Sequence, residues 1–269
     1  MTPPVALVTA LAPDPAGVVA AARIVAAPDG RGGTALPVLE GGGPFALRRV
    51  GGRGAEARVA LVGAMSAPLG GDRLTLDARV EAGAALAFST TAATIALPGR
   101  TGAPATYDTR IDVADGAALR WLPEPLISAH GSDVRTTTRV ALGAGARLLL
   151  REEQVLGRAG EPPGRLRSRL TIHHAGRPLF DQELNYGPGA PGWDGGAVLG
   201  GHRAVGQLVV VHPAFEERPM AARPLGATAA VTPLAGPAVV VSAVARDALE
   251  LRKVLDSWAS ELNDVIRAF

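Results

Sequence analysis

Alternating apolar and polar residues recur along the middle of the chain, and each alternating run is followed by a turn of small residues. The alternating runs are residues 74–80, 107–113 and 136–142. Alternation with period two is typical of half-buried β-strands. The tetrapeptide Gly-Ala-x-Leu follows each run, at residues 83–86, 116–119 and 145–148, with spacings of 33 and 29 residues. The pattern therefore predicts three strand–turn–strand units.

Self-similarity at about 30 residues is typical of architectures in which each unit buries its apolar face against the next. We therefore predict a mostly β fold with few helices, built on a stacked, β-helix or solenoid-like body. The alternative is a β-sandwich whose hairpins resemble one another. We predict a single domain over 1–269, in which a β-rich body (1–204) is followed by a β-hairpin and a long helix packed on it (205–269).

The second unit ends abruptly at Trp121-Leu122-Pro123-Glu124-Pro125. Proline cannot donate a hydrogen bond to a sheet, so a paired strand is expected to end at Leu122. The residue before each proline is restricted to extended geometry. The segment therefore predicts a rigid corner that fixes the direction of Glu124, either as a solvated side chain or as part of a site.

Further elements follow from local patterns. The predicted elements are a strand at 18–25, a strand at 58–62, a hairpin of 166–174 with 179–184, a long loop at 187–203, a strand at 205–211, a short helix within 213–222, and a hairpin of 228–232 with 238–244. The uncharged run 224–245 is long enough to cross a membrane, but Pro233, Gly236 and Pro237 interrupt it. We therefore interpret it as a hairpin and expect no membrane partner.

Asp247 and Glu250 form a capping box at the start of a terminal helix. Its apolar positions recur at helical spacing. They are Leu251, Val254, Leu255, Trp258, Leu262, Val265, Ile266 and Phe269. We expect Trp258 to pack against the strands at 205–211 and 238–244, with docking on a partner as the alternative.

Composition indicates a folded chain, with 47% hydrophobic and 19% charged residues among 269. The calculated pI of about 9.6 does not reflect a basic surface, because the formal net charge is only +2. The nearest basic cluster is Arg165, Arg167 and Arg169, which we interpret as a solvated strand face. We therefore expect no nucleic-acid partner.

Several classes of chemistry lack their sequence signatures. The chain has no cysteine, its only lysine is Lys253, and no phosphate-binding Walker loop is present. His173 and His174 are adjacent on a predicted strand, so they face opposite sides and cannot easily share a metal. We predict no catalytic residues and no tightly bound cofactor. The start of the chain (1–4) lacks the basic region of a secretory leader, and we expect a cytoplasmic protein.

Four short motifs, in order, resemble the UreD/UreH family of urease accessory proteins. They are Gly70-Gly71-Asp72-Arg73-Leu74, Ser89-Thr90-Thr91-Ala92-Ala93-Thr94, Trp121-Leu122-Pro123-Glu124-Pro125, and Leu156-Gly157-Arg158 followed by Gly160-Glu161. Each motif is short, but their shared order across residues 69–161 is specific. Weaker similarity continues through 166–184 and the C-terminal strand–helix ending.

The resemblance implies a non-catalytic scaffold for urease maturation. Such a protein binds apo-urease and a UreF-type partner, and a UreG-type GTPase joins through that partner and supplies nickel. The family is also thought to offer nickel in transit an internal passage. On the matching motifs, the candidate residues for this passage are Asp72 and Glu161, with Glu124 as a third. Exchangeable oxygen ligands suit a passage, because a closed Cys/His cage would trap the ion.

The residues themselves are compatible with two other functions. A β-solenoid or β-sandwich enzyme acting on carbohydrate would need facing carboxylates and exposed aromatic side chains. A structural interaction module unrelated to urease would need neither.

Overall fold

Two β-sheets and a terminal helix form the structure, a computed structural model that describes residues 17–52 and 54–262. The strands are β1 (Val19–Pro28), β2 (Thr34–Glu40), β3 (Phe45–Val50), β4 (Ala57–Gly63), β5 (Arg73–Val80), β6 (Ala85–Thr90), β7 (Thr94–Ala96), β8 (Ala105–Val113), β9 (Ala118–Leu122), β10 (Leu126–Ser128), β11 (Asp133–Leu142), β12 (Arg147–Leu156), β13 (Arg165–His174), β14 (Arg177–Tyr186), β15 (Ala204–Val211), β16 (Arg223–Pro224), β17 (Ala229–Pro233) and β18 (Ala238–Ala245). The helices are α1 (Ala214–Glu217) and α2 (Ala248–Glu261).

The two sheets face each other across the main core. Sheet A has the order β14-β13-β11-β8-β5-β1-β2, and sheet B has the order β16-β17-β18-β15-β12-β9-β6-β4-β3. From β4 to β13 the chain alternates between the sheets, and successive strands within each sheet are parallel. This coiling confirms the predicted solenoid-like body.

The Gly-Ala-x-Leu repeats lie directly over one another. Leu86 is in register with Leu119, and Leu119 is in register with Leu148. All three leucines are fully buried. The turn glycines at 83 and 116 have φ values of 77° and 69°, a conformation that residues with a Cβ rarely adopt. The repeat in the sequence therefore reflects one coil stacked on the next.

Strand β9 ends at Leu122, as the two prolines predict, and β10 begins directly after Pro125. Strands β7 and β10 pair in parallel with each other on a third side of the coils. The ring of Trp121 stacks on Phe88 of the preceding coil, with ring centroids 3.9 Å apart. The corner is therefore fixed both by its prolines and by a buried aromatic pair.

The last part of the chain extends both sheets with antiparallel strands. β14 pairs with β13, β15 pairs with β12, and β17 pairs with β18. These pairings confirm both predicted hairpins, and the second of them accounts for the uncharged run 224–245. The strands β2 and β3 were not predicted, since the N-terminal region carries weak alternation. None of the described helices is long and apolar enough to cross a membrane.

Helix α2 packs on the outer face of sheet B, as predicted. Asp247 is its N-cap, and its carboxylate accepts a hydrogen bond of 2.8 Å from Glu250 N. Glu250 reaches back to Arg246 N rather than to the cap residue itself. Trp258 is buried beside Val239 and Val241 of β18. The predicted stripe positions Val265, Ile266 and Phe269 lie outside the described residues, as does the chain start at 1–16.

The predicted arginine cluster lies on β13, on the outer face of sheet A. Arg167 pairs with Glu183 at 3.5 Å and Arg169 pairs with Asp181 at 2.8 Å, both on the neighbouring β14. These side chains are about half exposed. The two pairs agree with a solvated strand face.

Candidate functional site

The space between the two sheets changes from apolar to polar along the strands. At the end near the repeat turns, the inward side chains are leucine, valine and isoleucine. At the other end, the inward residues of sheet A are Tyr107, Thr109, Thr136, Thr138 and Ser168, and they line a cavity of about 100 Å³. We call this space the central cavity. Buried polar side chains cost free energy unless they have partners, so this polar layer is a candidate site.

Glu152 is the carboxylate of this polar layer. It lies on β12 in register with Gln207 of β15, whose amide nitrogen donates to it at 3.0 Å. From sheet A, the Thr138 hydroxyl donates to its other oxygen at 2.9 Å. Burial raises the pKa of the Glu152 carboxyl, while the two hydrogen bonds act in the opposite direction. Glu152 is thus held by neutral donors from both sheets, and no guanidinium of residues 17–52 or 54–262 forms an ion pair with it.

Two amide oxygens next to Glu152 are buried without a hydrogen-bond donor among the described residues. They are Gln154 Oε1 and Gln207 Oε1. A buried polar atom with no partner costs about 1–3 kcal/mol. Such atoms are found where a water or a cation completes the site. With Glu152, they make the interior a set of oxygen donors.

The central cavity shares lining residues with two larger clefts. Thr90, Thr94 and Tyr107 also line a front cleft of about 360 Å³, which reaches the exposed Met65. Glu152 and Gln154 also line a rear cleft of about 410 Å³, which reaches the exposed Ala227. The three spaces therefore adjoin one another, and Glu152 lies in the wall of both the central cavity and the rear cleft.

Glu124 lines the central cavity from the proline corner. Its carboxylate pairs with Arg252 of α2 at 3.2 Å, and Arg252 also binds Glu153 on the outer face of β12. The hydrogen bonds that Arg252 donates to Glu153 and Glu124 raise the pKa of its guanidinium. The structure therefore brings Glu124 close to the interior, and Arg252 neutralises it there.

Asp72 lies at the turn before β5, and both of its oxygens accept backbone hydrogen bonds. Val18 N and Leu69 N each donate at 2.7 Å. The residue is 1% exposed. These contacts join the start of β1 to the turn before β5, so they favour a structural role. The assignment of Asp72 to nickel stays a prediction.

Glu161 accepts hydrogen bonds that hold the loop in which it lies. Both of its oxygens bind the Arg158 guanidinium, at 2.9 and 2.8 Å, and Oε1 also accepts from His130 N at 3.1 Å. The hydrogen bonds that Arg158 donates lower the pKa of Glu161 to about 2, and those from its guanidinium have a larger effect than the one from its backbone N–H. The structure does not join Glu161 to Asp72 or Glu124, since each carboxylate has different partners. Within residues 17–52 and 54–262, no three Asp, Glu or His side chains form a metal site.

The sequence analysis did not single out Glu152 as a candidate site residue, although the polar residues around it are a recognisable pattern. Residues 151–154 read Arg-Glu-Glu-Gln between the apolar stretches Leu148-Leu149-Leu150 and Val155-Leu156. Four consecutive polar residues in an otherwise apolar strand place two of them on each face of a sheet. On β12 both faces are covered, one by sheet A and the other by α2, so such residues need partners.

Comparison with known proteins identifies the family. The family model of the UreD urease accessory protein matches residues 19–267. A urease accessory protein UreD 3 of Streptomyces griseus subsp. griseus is 63% identical over 93% of this chain and 98% of its own length. A urease accessory protein UreD of Streptomyces avermitilis is 64% identical over 92% of this chain and 98% of its own length.

A more distant relative, the urease accessory protein UreD 2 of Saccharopolyspora erythraea, is 55% identical over 89% of this chain and 86% of its own length. The match to the family model, over residues 19–267, includes the repeat coils, the polar interior and the terminal helix. The chain therefore belongs to the UreD family of urease accessory proteins.

Proposed function

We propose that this protein is a non-catalytic scaffold for urease maturation that carries nickel through its interior. It binds apo-urease and a UreF-type protein in the cytoplasm, and a UreG-type GTPase supplies nickel through the UreF-type partner. The observation that supports the proposal is the set of three adjacent spaces, with Glu152 in the wall shared by the central cavity and the rear cleft.

The donor set suits an ion in transit. Glu152, Gln154 and Gln207 offer oxygen atoms, which bind nickel more weakly than a set of thiolates or imidazoles. A single carboxylate with amide oxygens can offset part of the cost of removing a divalent ion from water, and it does not form a closed cage. On this view nickel is cargo, and the protein holds no cofactor tightly.

The carbohydrate-enzyme alternative has less support from the aromatic residues. Trp121 is stacked on Phe88 in the core, and Trp258 of α2 is buried against sheet B. Neither ring is available to stack on a sugar. We therefore retain one proposed function.

The test is Glu152→Gln, co-expressed with the urease subunits and the other accessory proteins. The amide keeps the size of the side chain and removes the charge. We expect the same amount of assembled complex, with a several-fold decrease in nickel per urease and in urease activity. Glu183→Gln, on the solvated face of sheet A, is the matched control and is expected to load nickel normally.

Normal nickel loading by Glu152→Gln, with intact assembly, would contradict the passage. The same assay applied to Glu124→Gln, Asp72→Asn and Glu161→Gln tests the three motif carboxylates. From their contacts we expect Glu124→Gln to decrease loading. If Asp72 and Glu161 have structural roles, Asp72→Asn and Glu161→Gln should decrease nickel loading only as far as they lower the stability of the protein.

A further inference from the structure

Strand pairing in sheet B is interrupted beside the proline corner. Strand β12 pairs in parallel with β9 up to Leu150 and with β10 from Gln154 onward. Between these two stretches, residues 151–153 of β12 pair with β15 on one side and have the proline corner on the other. We call this point the wall gap. Glu124 of the corner and Glu153 of β12 both line the central cavity there, so two carboxylates border the cavity at one place.

Arg252 of α2 bridges these two carboxylates. Its Nε donates to both oxygens of Glu153, at 2.8 and 2.9 Å. Its Nη1 and Nη2 donate to the two oxygens of Glu124, at 3.4 and 3.2 Å. Nη2 also donates to Glu153, so this nitrogen lies between the two acidic side chains. One guanidinium therefore occupies the place between two carboxylates where a cation would otherwise be held.

The charges around the wall gap are balanced. Arg151 of β12 approaches Glu153 at 3.3 Å and pairs with Asp256 at 3.2 Å. The Asp256 side chain is more than half exposed, so solvent screens its charge. The remaining side chains are two guanidinium groups, of Arg151 and Arg252, and two carboxylates, of Glu124 and Glu153. Loss of one charge of either sign leaves an uncompensated charge beside the central cavity.

We propose that Arg252 is a positioning residue that cancels the charge of Glu124 and Glu153 and so prevents nickel in transit from being held at the wall gap. The inference rests on the proposed function. The number of charged ligands sets how tightly an oxygen site holds a divalent cation. With the two acids neutralised, Glu152 is left, among the described residues that line the cavity, as the carboxylate without a guanidinium partner. The ion then meets one negative charge in place of three.

The balance of charges predicts opposite effects of two single substitutions. Arg252→Met leaves Glu124 without its cation, so Ni²⁺ is expected to bind more tightly. Glu124→Gln leaves Arg252 in excess, so Ni²⁺ is expected to bind less tightly. The double variant Arg252→Met/Glu124→Gln retains Arg151 and Glu153, which balance each other, and it should bind nickel like the wild type. Arg252→Lys keeps the positive charge and should also behave like the wild type.

Equilibrium dialysis of the dilute, metal-free full chain against Ni²⁺ alone measures the affinity. We expect an increase of about tenfold or more for Arg252→Met, since an unpaired carboxylate at short range attracts a divalent cation strongly. We expect recovery of the wild-type affinity in the double variant. Arg169→Met removes a guanidinium from the exposed pair with Asp181 on sheet A. It is the matched control and should leave the affinity unchanged.

Wild-type nickel affinity in a folded Arg252→Met protein would overturn the inference. A double variant that binds nickel as tightly as Arg252→Met would also overturn it, because loss of the helix contact, and not the charge, would then be the cause. If Arg252→Met does not fold, Glu124→Gln tests the same balance from the other side. Its affinity should fall several-fold below that of the wild type, and an unchanged affinity would contradict the role of Arg252.

The affinity is measured without urease or any other accessory protein, so its outcome is separate from the loading assay of Glu152→Gln. Normal nickel loading by Glu152→Gln contradicts the passage. An unaltered affinity of Arg252→Met contradicts only the role of Arg252 and leaves the proposed function intact.

Discussion

The role of each carboxylate follows from what holds its two oxygens. Both oxygens of Asp72 accept from backbone amides, and Glu161 accepts from the Arg158 guanidinium and from two backbone amides. Among the described residues, Glu152 accepts from one hydroxyl and one side-chain amide, and it lines the rear cleft. A carboxylate with neutral partners can exchange them for a passing cation at smaller cost than one bound to arginine. This difference is why the proposal centres on Glu152.

Replacement of Asp72 is expected to lower stability. Asp72→Ala leaves Val18 N and Leu69 N without their acceptor, and each buried unsatisfied group costs about 1–3 kcal/mol. Urea denaturation of the metal-free protein measures the loss. Asp194→Ala, in the exposed loop, is the control and should change the free energy of unfolding little. An unchanged unfolding curve for Asp72→Ala would show that the two bonds do not hold the turn.

The raised pKa of the half-buried Glu152 predicts a pH dependence of stability. Burial raises its pKa above the ordinary 4.5, so the folded state binds the proton more tightly than the unfolded state. The corresponding stabilisation is fully present below pH 4.5 and is lost as the pH rises through the folded pKa. The stability of the metal-free wild type relative to Glu152→Gln should therefore decrease as the pH is raised from 4.5. A difference that is constant with pH would contradict the raised pKa.

At the scale of elements, helix α2 stabilises the end of sheet B. Leu251, Leu255 and Trp258 are buried against β15 and β18. Arg252, on the same helix, connects it by ion pairs to Glu153 of β12 and Glu124 of the proline corner. The helix is therefore held by an apolar stripe and also by charges that reach the wall of the central cavity.

Truncation of Trp258 is expected to destabilise the protein itself. Trp258→Ala removes a side chain that is 1% exposed. A loss of about 3–5 kcal/mol is typical for such a change, and thermal unfolding of the isolated protein or its smallest complex measures it. Lys253→Ala, on the exposed side of α2, is the control. Wild-type stability together with loss of a partner would mean that the helix serves an interface instead.

At the scale of the whole molecule, exposed apolar groups lie beside the front cleft. The front cleft opens beside Met65 and Ile95, which are 49% and 39% accessible. Val62 of β4 also lines this cleft and is 36% accessible.

The exposed apolar groups predict a dependence on the partner. We expect the protein to self-associate when it is expressed alone and concentrated, because bare apolar surface favours aggregation. Co-expression with a UreF-type protein should give a stable complex of defined size in gel filtration. A concentrated isolated chain that is monodisperse and does not bind the cognate UreF-type protein would contradict this prediction.

The sequence by itself determined the local structure and the family. Period-two alternation and the Gly-Ala-x-Leu turns specify strands and corners, because both depend on residues close together in the chain. The capping box at Asp247 and the prolines around Glu124 act in the same local way. The ordered motifs pointed to the UreD family, which the comparison with known proteins established.

Only the tertiary structure decided which polar groups face one another. Glu152, Thr138 and Gln207 come from three strands of two sheets, and their contact depends on coil stacking and on an antiparallel register that no local pattern encodes. The partners of Asp72 and Glu161 likewise come from the fold around each turn. The motifs could therefore identify candidate carboxylates. Only burial and hydrogen bonding distinguish Asp72 and Glu161, which hold turns of the fold, from Glu152, which lines the interior spaces.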